Sequence, residues 1–136
     1  MQLLDELEIV SHAGTHKIEL YHGDLTNIPD EQAIDLLVVS AFPNNYLPIK
    51  HSLIGALHKK GISVHDLSED KAEDLRESFS CWMSQPIEEK AEGINFDRIL
   101  VFEPRRKGAP ADVVGDVFQS LIPFVHGEPH IRSLAM

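Results

Sequence analysis

The sequence is poor in cysteine, in basic residues and in long apolar runs. Cys81 is the single cysteine among 136 residues, which excludes an internal disulfide and favours a reducing compartment. Lys and Arg number 12 against 22 Asp and Glu, so the formal net charge is −10, and such an acidic surface repels a phosphate backbone. Apolar runs all stay short of the roughly 18–20 residues that span a bilayer. These features predict a cytoplasmic protein that binds neither nucleic acid nor membrane.

Metal-binding and nucleophile signatures are also missing from the sequence. None of the eight histidines belongs to an H-E-x-x-H motif. His12 and His16, like His126 and His130, are spaced four apart, but both pairs lie in segments that contain glycine or proline instead of a helical pattern. Cys81 has apolar neighbours, which predict a buried, unreactive thiol. We therefore expect no metal and no cofactor, and no catalytic residue is identified.

The hydrophobic pattern indicates one α/β domain over residues 1–136, with 43% hydrophobic residues. Alternating or continuous apolar runs predict strands at residues 7–10, 17–21, 36–39, 79–87, 99–102 and 131–136. Helical spacing and end signals predict helices that begin near residue 29, at 53–60, at 68–75 and at 111–125. A basic loop at residues 103–110, with Arg105, Arg106 and Lys107, is predicted between the strand at 99–102 and the helix at 111–125.

The order of these segments predicts how the sheet is covered. The runs at residues 36–39 and 99–102 are apolar at every position, which is typical of strands covered by helices on both faces. Strands that alternate with helices predict a mixed, mostly parallel sheet between two helical layers.

Three segments resemble the macro-domain family, in the family's order and spacing. GDLT at residues 23–26 resembles the GD-[IL]-T signature, and DLLVVSAFPN at 35–44 is similar to the family's DAIVNAAN strand and loop. LIGALHKKG at 53–61 resembles the VDGAIHRAAG helix. Residues 99–104 and 133–136 stand in the places of two later strands. The resemblance implies a three-layer macro-like fold.

Macro domains bind ADP-ribose or related nucleotides, so the resemblance also implies a binding site. Asp24 would accept a hydrogen bond from the adenine amino group, and the N–H of Leu25 would face the adenine or the proximal phosphate. Asn44 is the nearest equivalent of the asparagine at the distal ribose, and the helix start from Ser52 would face a phosphate. The full set of expected ligand-binding residues is Asp24, Leu25, Ser40, Ala41, Asn44, Asn45, Ser52 and Ile54.

The sequence also departs from the family where its chemistry would take place. Residues 49–52, Ile-Lys-His-Ser, replace a run of glycines whose backbone approaches the diphosphate and distal ribose. The family's second glycine-rich phosphate loop and last helix have no counterpart after residue 136. We therefore expect a non-catalytic module that binds a nucleotide-derived ligand in sensing or regulation.

Two other functions remain open at this stage. One is an ADP-ribosyl hydrolase that orders a water near Asn44, and the other is a degenerate macro-like scaffold that acts through protein interaction. An open cleft would favour ligand or enzyme, whereas a cleft filled by Phe42, Tyr46 or Leu47 would favour the scaffold. The apolar last strand predicts a homodimer that buries residues 134–136 and part of the helix at 113–122.

Overall fold

The structure is a computed structural model that describes residues 1–104 and 110–136. Its strands are β1 Gln2–Ser11, β2 Gly14–His22, β3 Ile34–Ser40, β4 Lys71–Leu75, β5 Cys81–Ser84, β6 Phe96–Phe102 and β7 Leu134–Ala135. Its helices are α1 Leu53–Lys59, α2 Val64–Glu69, α3 Arg76–Phe79 and α4 Pro110–Val125, and a 3-10 turn lies at Asp30–Gln32. The predicted basic loop with Arg105, Arg106 and Lys107 lies outside the described residues.

Five strands form the main sheet, in the order β4-β5-β6-β3-β7. β3 runs parallel to both of its neighbours, β6 and β7. β5 runs antiparallel to β6 and to β4. The predicted α/β class with a mixed sheet is therefore confirmed, although parallel and antiparallel pairings are equally frequent in this sheet.

Helices cover both faces of the main sheet because its central strands are apolar on both sides. Leu37 on β3 packs in one buried cluster with Leu57 of α1. Val38, the next residue, belongs to a second buried cluster with Leu121 of α4. Successive side chains of a strand point to opposite faces, so α1 and α4 lie on opposite sides of β3.

The predicted helix at residues 68–75 is wrong from Lys71 onward. α2 begins earlier, where the Ser63 hydroxyl caps it by accepting from the Asp66 N–H, and it ends at Glu69. Lys71–Leu75 instead forms β4, which pairs with β5. The ammonium of Lys71 also lies 5.2 Å from the ring centroid of Trp82. Pairing with a buried strand outweighs the helix propensity of this acidic segment.

The last predicted strand is shorter than expected, because only Leu134–Ala135 pair with β3. The segment before it is held by the Asp35 carboxylate. Its Oδ2 accepts hydrogen bonds from the N–H groups of Arg132 and Ser133, at 2.7 and 2.9 Å. β7 is thereby placed at the edge of the sheet, beside β3.

The two N-terminal strands form a separate antiparallel hairpin, which confirms the predicted pair of strands joined by a turn. Gly14 follows the turn at φ +126°, a conformation that L side chains rarely adopt. Almost every residue of the hairpin is exposed. The hairpin therefore contributes little to the core that the main sheet forms.

Candidate functional site at the carboxyl edge of the sheet

The neighbouring parallel strands β3 and β6 create a topological switch point. The chain leaves the carboxyl end of β3 toward α1 on one face, and it leaves β6 toward α4 on the other. Helices that diverge in this way open a crevice at the carboxyl ends of the two strands, where open α/β sheets bind their ligands. This edge is therefore the candidate functional site.

The loop after β3 folds back over this edge. The Ala41 N–H donates to the carbonyl of Phe102 at 2.9 Å, so the start of the loop stays attached to β6. The Asn45 N–H donates to the Phe42 carbonyl at 3.0 Å, which closes a tight turn. Asn44 occupies this turn at φ +55°, and asparagine tolerates the left-handed region better than most residues.

Glu103 follows β6 directly and is 1% exposed. Its Oε1 accepts the Asn44 N–H at 2.6 Å and the Tyr46 hydroxyl at 3.0 Å. The Tyr46 oxygen in turn accepts the indole N–H of Trp82 at 3.2 Å. Burial and the adjoining Glu103 raise the pKa of Tyr46 to about 12, so the hydroxyl remains a donor at physiological pH. The carboxylate therefore ties the β3 loop to the end of β6.

The second oxygen of this carboxylate, Oε2 of Glu103, is buried and has no hydrogen-bond partner in residues 1–104 and 110–136. A carboxylate offers about four lone-pair positions, and Oε1 uses only two of them. Buried polar atoms without partners are uncommon in folded proteins. Glu103 therefore keeps acceptor capacity for a further N–H or O–H donor at the switch point.

Arg76 links the loop to the edge of the sheet formed by β4. Its Nη1 donates to Oδ1 of Asn44 at 2.8 Å. Its Nε and Nη2 bind the two carboxylate oxygens of Asp74 at 2.8 and 2.7 Å. The hydrogen bond from the Arg76 side chain is the main reason why the pKa of Asp74 falls to about 2. This forked pair places a cation beside the loop.

The start of α1 is satisfied by its own residues. The Ser52 hydroxyl accepts the Gly55 N–H at 3.0 Å and donates to the Ile49 carbonyl at 2.7 Å, so Ser52 is the N-cap. A Cβ at Gly55 would collide with the carbonyl oxygen of Ile49. The loop therefore packs closely on the first turn of the helix, where the family's glycine run would leave space. Ile54 is buried in the core.

Asp24 and Leu25 lie at the opposite end of the sheet. Oδ1 of Asp24 accepts the N–H and the hydroxyl of Thr26, both at 2.8 Å, and these bonds lower the pKa of Asp24. The Ile28 N–H then donates to the carbonyl of Gly93, just before β6 begins. The seven residues of β6 separate this turn from Glu103, a distance of about 20 Å at 3.3 Å per residue.

The structure thus brings together part of the predicted site. The residues at or beside the carboxyl edge are Ser40, Ala41, Asn44, Asn45 and Ser52. Asp24 and Leu25 are at the amino edge. Sequence reasoning missed Glu103 and Arg76. An acidic residue directly after the apolar run ILVF was an available signal for Glu103, whereas Arg76 joins the site only through tertiary contacts.

A cavity of about 530 Å³ lies near the amino edge of the sheet. Ile62, Leu67 and Ile87 line it together with Asp66 and Glu88. The predicted site residues are absent from its walls, and its carboxylates repel phosphate.

Several groups capable of chemistry lie outside the candidate site. Cys81 is fully buried, as the sequence predicts, and burial raises the pKa of its thiol. In the described parts of the chain, no three His, Cys, Asp or Glu side chains come together as a metal site. None of the helices in residues 1–104 and 110–136 is long and apolar enough to cross a membrane.

Comparison with known proteins identifies no relative of this chain. No family model, no curated protein and no solved structure matches the chain.

Proposed function

We propose that the chain is a macro-like module that binds a nucleotide-derived ligand such as ADP-ribose in the crevice between β3 and β6, without catalysis. The resembling segments at residues 35–44 and 53–61 flank this crevice. The mixed sheet, with α1 and α4 on opposite faces, has the layering that a three-layer macro-like fold requires.

One observation carries the proposal: Glu103 combines burial at the switch point with an oxygen that lacks a partner in the described residues. A carboxylate in this position accepts an exocyclic amino group such as that of adenine, or a ribose hydroxyl. Tyr46 and Trp82 place two aromatic rings beside it, with centroids 5.7 Å apart. In this proposal, therefore, Glu103 and not Asp24 is the residue that recognises the adenine base.

The position of Tyr46 determines how much free energy a ligand needs to enter the crevice. Its side chain is 8% exposed and occupies the space next to Glu103. A ligand that reaches Oε2 has to displace part of the loop at residues 41–52. The closed loop lowers the apparent affinity by the fraction of molecules in which it is open.

Calorimetric titration with ADP-ribose, ADP and AMP tests the proposal. In Glu103→Gln the amide oxygen can still accept from Tyr46 and Asn44, while the free oxygen becomes an N–H₂ donor that repels another donor. We expect this variant to lose about 1.5–3 kcal/mol of binding free energy. Asp24→Ala is the matched control at the amino edge, and we expect its affinity to equal that of the unmodified chain.

Two results would overturn the proposal. Absence of binding heat with all three nucleotides at millimolar concentration would show that the crevice binds no such ligand. A loss of about 1.5–3 kcal/mol in Asp24→Ala would instead place the adenine at the amino edge, as the family resemblance implies.

A second candidate function is a macro-like scaffold that acts through protein interaction. Tyr46 fills the crevice, which is the arrangement that favours a scaffold over an open ligand site. Phe42, Leu47 and Ile49 of the same loop are 77%, 65% and 58% exposed. A chain that binds none of the nucleotides but associates through these side chains would support this function.

A further inference from the structure

The hairpin of β1 and β2 is amphipathic. Residues directly opposite each other in an antiparallel pair lie on the same face, and Leu7 faces Ile18 in the register. Because successive side chains of a strand alternate between the two faces, one face carries Leu7, Ile9, Ile18 and Leu20. This face is called the apolar face. All four side chains are exposed by 43–59%.

The opposite face of the hairpin is charged. Glu6, Glu8, Lys17 and Glu19 share it, and Lys17 lies 3.5 Å from Glu6. This face suits contact with water. Alternation of apolar and charged residues is typical of antiparallel sheets that are covered on one side. A two-stranded hairpin is also only marginally stable alone in water, so the exposed apolar face calls for a covering surface.

The two ends of the apolar face differ in a way that favours a second copy of this chain. Asp5 pairs with Leu20 at one end, and His16 pairs with Ile9 at the other. A two-fold axis through the middle row, across the strands, stacks the Asp5–Leu20 row of one copy over the Ile9–His16 row of the other. Asp5 then lies over Ile9 of the second copy and is a diagonal neighbour of its His16, one strand spacing of about 5 Å away. A histidine ring has an N–H for a carboxylate in either protonation state.

We propose that the apolar face docks on the same face of a second copy, with the strands antiparallel, to form a small four-stranded sandwich. Sheets that pack in this way lie about 10 Å apart, and their inner side chains interdigitate. Two such contacts between Asp5 and His16 then close the ends, because the two-fold axis repeats every contact.

The dimensions of the face set the strength of the dimer. The nine paired rows of the hairpin measure about 10 by 30 Å, so the footprint is roughly 300 Å² per copy. Stable interfaces bury about 800 Å² per partner. The hairpin contact is therefore weak, and the dimer forms only at high micromolar concentration or above.

This inference is independent of nucleotide binding and of the dimer that the sequence predicts at residues 134–136. The nucleotide titration tests the crevice, and its outcome neither supports nor contradicts a dimer formed by the hairpin. Met136 is 56% exposed, so Met136→Lys disrupts a contact at the chain's last residues without touching the hairpin.

Sedimentation equilibrium from about 10 µM to about 500 µM measures the proposed dimer. Leu7→Thr/Ile18→Thr removes apolar surface and places β-branched threonine, which favours strands, at both positions, and we expect it to weaken dimerisation about tenfold or more. Val10→Thr makes a matched change on the opposite face, where Val10 is 77% exposed. Val10→Thr and Met136→Lys should both dimerise like the unmodified chain.

A charge exchange tests the orientation. Asp5→Lys places two cationic or donor groups together, and His16→Asp places two carboxylates together, so each weakens the dimer. Asp5→Lys/His16→Asp restores opposite charges across the axis and should recover most of the affinity. A single-chain mass of 15.2 kDa at all concentrations would overturn the proposal. So would a dimer that survives Leu7→Thr/Ile18→Thr, that is lost in Met136→Lys, or that the charge exchange fails to recover.

Discussion

The hydroxyl of Tyr46 donates a hydrogen bond of 3.0 Å to Oε1 of Glu103, a residue 57 positions later in the chain. Both residues are at least nine-tenths buried. This contact joins the loop after β3 to the carboxyl end of β6 and closes the crevice between them. The energetics of the loop and of any ligand that enters the crevice therefore depend on the same bond.

Removal of the Tyr46 hydroxyl should destabilise the protein. In Tyr46→Phe the buried carboxylate loses a donor and the indole N–H of Trp82 loses its acceptor. We expect the free energy of unfolding to fall by about 1–3 kcal/mol in urea denaturation. Tyr21→Phe is the control, since that hydroxyl is exposed and donates to the exposed Glu19, and it should leave stability unchanged. Equal stability of the two variants would show that the bond to Glu103 contributes nothing.

Two helical glycines should respond in opposite ways to the same substitution. Gly55→Ala forces the Ile49 carbonyl away from the first turn of α1, and we expect a loss of about 1–3 kcal/mol. Gly115 in α4 has no described heavy atom within 4 Å of an added Cβ, so Gly115→Ala should gain up to about 1 kcal/mol through helix propensity. Thermal or urea unfolding of both variants measures the contrast, and stabilisation by Gly55→Ala would contradict the close packing.

The ion pair of Asp74 and Arg76 predicts a pH dependence of stability. The pKa of Asp74 is about 2 in the folded protein, against 3.8 for the unperturbed group. The folded state thus binds this proton less readily than the unfolded state. The pair stabilises the fold above about pH 4, and this contribution is lost as the pH falls from about 4 to about 2. Asp74→Asn should be less stable than the unmodified chain at pH 6 and approach it at pH 2. A constant difference across this range would contradict the assignment.

We expect no hydrolysis of ADP-ribosylated protein by this chain. Ser52 and Ile49 occupy the start of α1 with their own hydrogen bonds, and Asn44 already binds Arg76 and Glu103. The side-chain oxygen of Asn44, which the hydrolase would need to orient a water against a ribose, is thereby held by Arg76. Release of ADP-ribose from a modified substrate, measured over hours at micromolar protein, should match the blank. Turnover that disappears in Asn44→Ala would establish the hydrolase instead.

Local residue patterns were sufficient for most elements of the fold. The apolar run at 36–39 predicts a strand covered on both faces, and the structure places it at β3 with a cluster on each side. Ser52 and Gly61 mark the ends of α1 because capping and the left-handed stop depend on the nearest few residues. The short runs at residues 7–10 and 17–21 likewise predict two strands joined by a turn, and the structure extends this hairpin to residues 2–22.

Only the tertiary structure decided where the loops meet. β4 is a strand because β5 lies beside it, and the acidic sequence of residues 68–75 by itself favours a helix. The motif GDLT predicts Asp24 as a ligand contact. The turn that holds Asp24, however, packs near Gly93, at the other end of β6 from Asn44. Glu103 gains its partners from residues about 60 positions earlier, and loop closure over such a distance leaves no local signature. The sequence by itself determined most of the elements, through spacing and capping over a few residues. The composition of the candidate site was decided by strand order, which depends on the burial of the whole core.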